Sequence, residues 1–98
     1  SAPKSEVMQS IGAEFEELSK DEAEKFDING GLKIKRMYAG TLRAQTGIRE
    51  GFIITKVNKE PINTVKELER ILESEKGGVL IEGINPESGK KEYYGFGM

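Results

Sequence analysis

Along most of this chain the apolar positions recur with a period that switches between two and about three and a half, the periods of strands and helices. Residues 13–18, AEFEEL, set Ala13 and Phe15, with Leu18 after them, against Glu14 and Glu16, the pattern of a half-exposed strand. Ser19-x-x-Glu22 then reads as a capping box. It predicts a short helix to about Phe26, stopped by Asn29-Gly30-Gly31. In GLKIKRMY, Leu32 and Ile34 are two apart and Met37 three further on. A bulge near Lys35-Arg36 would bring all three to one face. GTLRAQTG predicts one or two helical turns closed by Gly47, and the β-branched run GFIITKVN a largely buried strand. NKEP is a turn, and Pro61-Ile62 a brief edge strand. Thr64-x-x-Glu67 is a second capping box. It opens the strongest helix, about Val65 to Lys76, with Val65, Leu68, Ile71 and Leu72 as its apolar stripe and Gly77-Gly78 as its end. VLIEGI, NPESGK and KEYYGFGM read as strand, hairpin loop and closing strand. Residues 1–9 show no sustained period and read as a linker, with a short strand at Val7-Met8. The expected fold is mixed α+β, mainly β, with about six strands and two or three short helices.

The chain's 98 residues make one domain with a modest core. With 36% apolar and 33% charged residues, it reads as a folded globular unit, without a membrane-spanning run or a recognisable leader. Net charge is −2, unevenly spread. Residues 1–30 carry eight acids and three bases, residues 31–59 one acid and seven bases. The basic middle is read as the solvated face of an alternating strand, Lys33 and Lys35 flanking inward Ile34. It lacks the aromatic or glycine-rich signature of a nucleic-acid binder, so no nucleic-acid partner is expected.

Cysteine and histidine are both absent. That removes disulfides, thiolate zinc sites, a Ser-His-Asp triad and the usual general base. No catalytic residue, metal site or cofactor site is expected. The acidic pairs, Glu16-Glu17, Glu22/Glu24 and Glu73/Glu75, sit on predicted surface faces, away from the apolar surroundings that tune a catalytic carboxylate. No serine lies in a G-x-S-x-G elbow, and GGLKIK lacks the spacing of a phosphate loop.

Gly12, in SIGAEF, stands just ahead of a strand, where a glycine implies a bulge, a turn or the close approach of another backbone. The order of motifs downstream gives it a context. Gly40-Thr41, Ala44, Gly47-Ile48, Gly51, Ile53-Ile54, Asn58, Ile62 and Leu68 fall in the spacing of one family. The block from Gly31 to Leu72 resembles a PDZ domain of the version found in bacterial HtrA/Deg-type envelope serine proteases. Phe52 departs from it, standing where the family usually has Asp. The resemblance implies a PDZ-like fold over residues 10–98, a five- to six-stranded open β-barrel or sandwich in the bacterial, circularly permuted strand order. Residues 90–97 would then fill the place that the first strand takes in animal PDZ domains.

The resemblance also implies a peptide-binding site. Its loop would be Ser10-Ile11-Gly12-Ala13, whose amides would cradle a ligand's terminal carboxylate while the ligand adds as a strand beside residues 13–17. Ile11, Ala13, Phe15 and Leu72 would line the pocket for its last side chain. Val65 would meet the antepenultimate one, and Leu68 would serve mainly the core. Leu72 is picked out by lying seven residues before Val79. No Lys or Arg lies just before the loop, so binding would rest on backbone amides. The function implied is a non-catalytic module that captures C-terminal or extended hydrophobic segments for a periplasmic serine protease whose catalytic domain lies elsewhere. No membrane insertion is expected. The alternative is an assembly module contacting other domains or subunits of the protease, as a second, C-terminal PDZ domain would.

Overall fold

The structure, a computed structural model, describes residues 5–97. Four helices and six strands follow one another: α1 (Glu6–Ile11), β1 (Ala13–Glu17), α2 (Lys20–Lys25), β2 (Leu32–Met37), α3 (Thr41–Gln45), β3 (Ile53–Val57), β4 (Glu60–Pro61), α4 (Val65–Ser74), β5 (Gly78–Ile84) and β6 (Lys91–Gly97). The strands form one antiparallel sheet in the order β1-β2-β3-β5-β6, with β4 beside β3. The closing strand is β6, paired along its whole length with β5.

Local sequence accounts for most of these elements. Both capping boxes are complete. The Ser19 and Thr64 hydroxyls accept from the backbone N–H of Glu22 and Glu67, whose carboxylates accept in return from the two cap N–H groups. The bulge expected near Lys35-Arg36 is present. Glu14 faces Arg36 and Phe15 faces Ile34, so Lys35 is the extra residue and Leu32, Ile34 and Met37 are all buried. Asn58 and Lys59, both at positive φ, make the two-residue turn between β3 and β4. Phe52 is a core residue, its ring packed edge-on against Tyr94 at 5.5 Å between centroids.

Several expectations are corrected. Residues 6–9 are not linker or strand. Ser5 caps a helix by accepting from the Met8 N–H, and Met8 and Ile11, three apart, bury one side of it. Residues 1–4 of that expected linker, and Met98, lie outside the described residues. The helix α2 stops before Asn29-Gly30-Gly31, because Asp27 adopts the left-handed conformation and the Ile28 N–H turns back to the Ala23 carbonyl. Thr46, not Gly47, caps α3, and α4 ends at Ser74 with Glu75 as its extended cap. The described helices number four, α1 being the one with no periodicity long enough to read.

The core is made by Leu32 and Ile34 of β2, Ile54 and Val57 of β3, Val79 and Ile81 of β5 and Phe96 of β6, covered by Leu68 and Leu72 of α4 and by Leu42 of α3. Replacing Leu68 by alanine is expected to cost about 2–5 kcal/mol of folding stability, as buried large-to-small changes do. Glu73→Ala, on the exposed face, should fall within about 0.5 kcal/mol of the parent. Urea denaturation midpoints of the two variants check the stripe.

A second expectation concerns pH. The hydrogen bond from the Lys33 ammonium, with the Ser19 backbone N–H second, holds the Glu22 carboxyl below its ordinary value of 4.5. Its folded pKa lies below the unfolded one, so the stabilisation is present above the unfolded value and is lost as pH falls through the folded one. Lys33 shifts the opposite way, raised chiefly by the same bond, so its share is lost only as pH rises above 10.5. Acid unfolding followed by circular dichroism should therefore start at higher stability and fall more steeply in the parent than in Glu22→Gln.

Candidate functional site

The strand β1 is the sheet's first edge, and its hydrogen-bond pattern shows which of its groups are free. The Tyr38 N–H donates to the Gly12 carbonyl at 2.7 Å, and the Leu18 N–H to the Gly31 carbonyl at 3.3 Å. Those two bonds bracket the ladder, so Ala13, Phe15 and Glu17 turn their own N–H and C=O groups away from β2. The outward side looks toward α4. Between them lies a groove of about 200 Å³ lined by Met8, Ala13, Glu14, Phe15, Val65 and Glu69. Beneath it Ile11, Phe15, Leu68 and Leu72, with Leu42, Ile54, Ile81 and Phe96, enclose an apolar hollow of about 10 Å³. That is no more than one water's worth of space, so it admits no side chain as it stands.

The expected site residues thus divide. Ala13, Phe15 and Val65 meet in the groove, Val65 with 38% of its surface exposed. Ile11, Leu68 and Leu72 meet with Phe15 in the hollow and are core residues. Ser10 is apart from both. It lies in the last turn of α1, its hydroxyl donating to the Val7 carbonyl. Ser10 and Ile11 are therefore helical and not loop, and the Ile11 N–H belongs to the i→i−4 ladder of α1. Of the cradle expected over Ile11–Ala13, the Ala13 N–H is the one placed on the free edge by the strand pattern. The helix also ends here, and a helix C-terminus carries the negative end of its dipole, which disfavours an anion.

Gly12 itself has a structural reason. It caps α1 in the left-handed conformation, at φ 76°. A Cβ on it would lie 2.6 Å from the Ala39 carbonyl oxygen and 2.9 Å from the Cα of Gly40. A Cβ on Gly40 would in turn lie 2.8 Å from the Gly12 Cα and from the Ser10 and Ile11 carbonyl oxygens. Two turns of the chain touch backbone to backbone.

Met8, Glu14 and Glu69 are the groove residues missed in the sequence. Met8 precedes the recognised motif, and its signal was its three-residue spacing to Ile11. Glu14 reads as the outward residue of an alternating strand, and with Glu69 of α4 it forms the rim of an otherwise apolar groove. No group of three or more metal-binding acids occurs among the described residues, and no described helix is long and apolar enough to cross a membrane.

This arrangement, a free strand edge facing an amphipathic helix across an apolar groove, is that of a PDZ domain, and the chain has the PDZ fold. The solved HtrA3 PDZ domain bound to a phage-derived ligand, FGRWV, superposes with a TM-score of 0.73 over 89% of this chain and 81% of that one, at 19% identity. The HtrA-type protease AlgW with a decapeptide superposes with a TM-score of 0.66 over 87% of this chain and 27% of that one, at 18% identity. In sequence, 65 residues are 31% identical to a probable periplasmic serine protease do/HhoA-like of Haemophilus influenzae (strain ATCC 51907 / DSM 11121 / KW20 / Rd). The match spans 64% of this chain and 14% of that relative. No family model matches.

Gly12→Ala tests the backbone contact. It is expected to destabilise the fold by about 1–3 kcal/mol, the cost of a strained backbone position, and thermal unfolding against Gly89→Ala measures it. Gly89 is also at positive φ, but no atom lies within 4 Å of its would-be Cβ, so the difference between the two isolates the crowding.

Proposed function

We propose that the chain is a non-catalytic peptide-binding module of an HtrA-type periplasmic serine protease, and that it takes extended apolar segments by strand addition to β1. The observation that carries this is the row of free backbone groups at Ala13, Phe15 and Glu17, the first two of which line the groove beside α4. Main-chain hydrogen bonds to that row supply affinity for any extended segment, and the alternate side chains of the ligand select among them. One such side chain lies over Ala13 and Met8, against Val65. Small Ala13 leaves the room, and the shallow floor favours a medium aliphatic residue. Two HtrA-type neighbours hold peptides in their solved structures, which supports the reading.

The terminal carboxylate has a smaller part than the family resemblance implies. One outward amide and a helix C-terminus make a poor anion site. The ligand is therefore an extended segment, at a chain end or within a chain. A role in subunit contacts is the second reading, and the sheet's other open edge, described below, favours it.

Isothermal titration with apolar pentapeptides tests the proposal. Binding in the micromolar to millimolar range is expected, with free and amidated ends within a few-fold of one another. Val65→Glu, which puts a charge on the exposed groove wall without touching the core, should weaken binding by about tenfold, or roughly 1.4 kcal/mol. Absence of binding below about 10 mM would overturn the module reading. A loss of more than tenfold on amidation would restore terminal-carboxylate capture.

A further inference from the structure

The sheet has a second edge, β6, and it differs in chemistry from the first. The side chain of Gln45 covers its end like one residue of a neighbouring strand. Its Oε1 accepts from the Gly97 N–H at 3.1 Å and its Nε2 donates to the Gly97 carbonyl at 3.4 Å. Gly97 therefore points its backbone away from β5, and so, by the alternation of an antiparallel ladder, do Lys91, Tyr93 and Gly95. The inward bonds of Leu80 agree. Its N–H and C=O engage Asn58 on the opposite side, leaving Leu80 and Gly95 a pair without mutual bonds. The outward groups of Lys91, Tyr93 and Gly95 have no partner among the described residues.

Edges of this kind are usually guarded by proline, inward charge or a bulge. On β1, Glu14, Glu16 and Glu17 make a like-charged edge that repels a second copy. Of the outward residues of β6 one is charged, Lys91, and its ammonium lies 3.9 Å from the Glu82 carboxylate of β5 within the chain; the strand has no proline and no bulge. Beside that ion pair the same face exposes two large apolar side chains, Tyr93 at 57% and Leu80 at 41%.

We propose that β6 is a pairing edge for β6 of a second copy of this chain, joined antiparallel about a twofold axis at Tyr93. With Gln45 keeping Gly97, the free stretch is 91–95, and its self-complementary register sets Tyr93 against Tyr93 and Lys91 against Gly95. All three outward residues of each strand then exchange both main-chain bonds. Each Tyr93 ring covers its counterpart, and bare Gly95 leaves room for the lysine stem opposite. A twofold contact closes on itself, so the assembly stops at two chains. The inference does not rest on the peptide groove, which lies at the opposite edge of the sheet.

Sedimentation equilibrium of the 98-residue chain tests it, across concentrations up to about 1 mM. The weight-average mass is expected to rise from one chain toward two and to level there. Gly95→Pro removes an N–H that bonds nothing inside the chain, and a Cβ at that position has the Val79 oxygen at 3.8 Å, an ordinary contact. Tyr93→Lys sets like charges face to face. Both variants should stay at one chain throughout while keeping the parent's circular dichroism, and Tyr93→Lys decides alone where Gly95→Pro does not fold. A parent that remains monomeric, a dimer that survives the variants, or a mass growing beyond two chains overturns the proposal. Peptide titration reads the other edge, so either result stands without the other.

Discussion

The backbone contact between Gly12 and Ala39-Gly40 is the constraint on which the rest of the molecule depends. It joins the turn from α1 into β1 to the turn from β2 into α3, at a separation no side chain permits. Strand register follows from it. With Gly12 held and its carbonyl bonded to the Tyr38 N–H, Ala13 must face Met37, and the bulge at Lys35 then lets Phe15 face Ile34. The outward orientation of Ala13, Phe15 and Glu17 is the product of that register, and a slip of one residue would turn the free groups inward and the acids into the groove. A single glycine thus sets both the packing of α1 and the polarity of the edge that faces α4.

Much of this was legible in the sequence because the signals are local. Two capping boxes fixed the starts of α2 and α4, and the two-then-three spacing of Leu32, Ile34 and Met37 required the bulge. The order of the glycines and apolar residues from Gly40 to Leu68 carried the fold. What stayed hidden depends on contacts distant in the chain. The helix α1 is six residues long, too short for a periodicity, and exists because Met8 and Ile11 find a core to bury against. Its presence turned Ser10 and Ile11 from loop to helix. Gly12 illustrates the same limit. The residue is what a ligand-cradling loop would have, and equally what a left-handed cap under a crossing backbone must have. Ala39 and Gly40, which decide between them, lie far along the chain. Ends of elements were less legible than their starts, because Asp27 and Glu75 end helices by conformation, without a glycine.

The two edges of the sheet differ in chemistry. On β1, carboxylates along the strand and Glu69 on the opposing helix flank an apolar strip, which under the proposed function would take a segment that brings no negative charge of its own. On β6, the absence of net charge and the bare backbone at Gly95 suit the flat, symmetrical neighbour proposed for it. Gln45 marks the boundary of the second edge by satisfying Gly97 within the chain. The basic middle of the sequence takes part in neither. Lys33 is spent on Glu16 and Glu22, tying α2 to the sheet, and Lys35 and Arg36 stand in solvent beside the bulge.

The strand order has a consequence for how the chain reaches this state. Each strand of the path β1-β2-β3-β5-β6 lies next to the one before it in sequence, apart from β4, which folds back on β3 by a tight turn. The widest step, from β3 to β5, encloses little more than α4, and the strand that completes the sheet arrives across a hairpin loop. The sheet can therefore be laid down from one side to the other by a succession of small loop closures, each with a modest entropic cost. An all-antiparallel sheet whose closing strand came from the opposite end of the chain would need one long closure before any of its pairing could form.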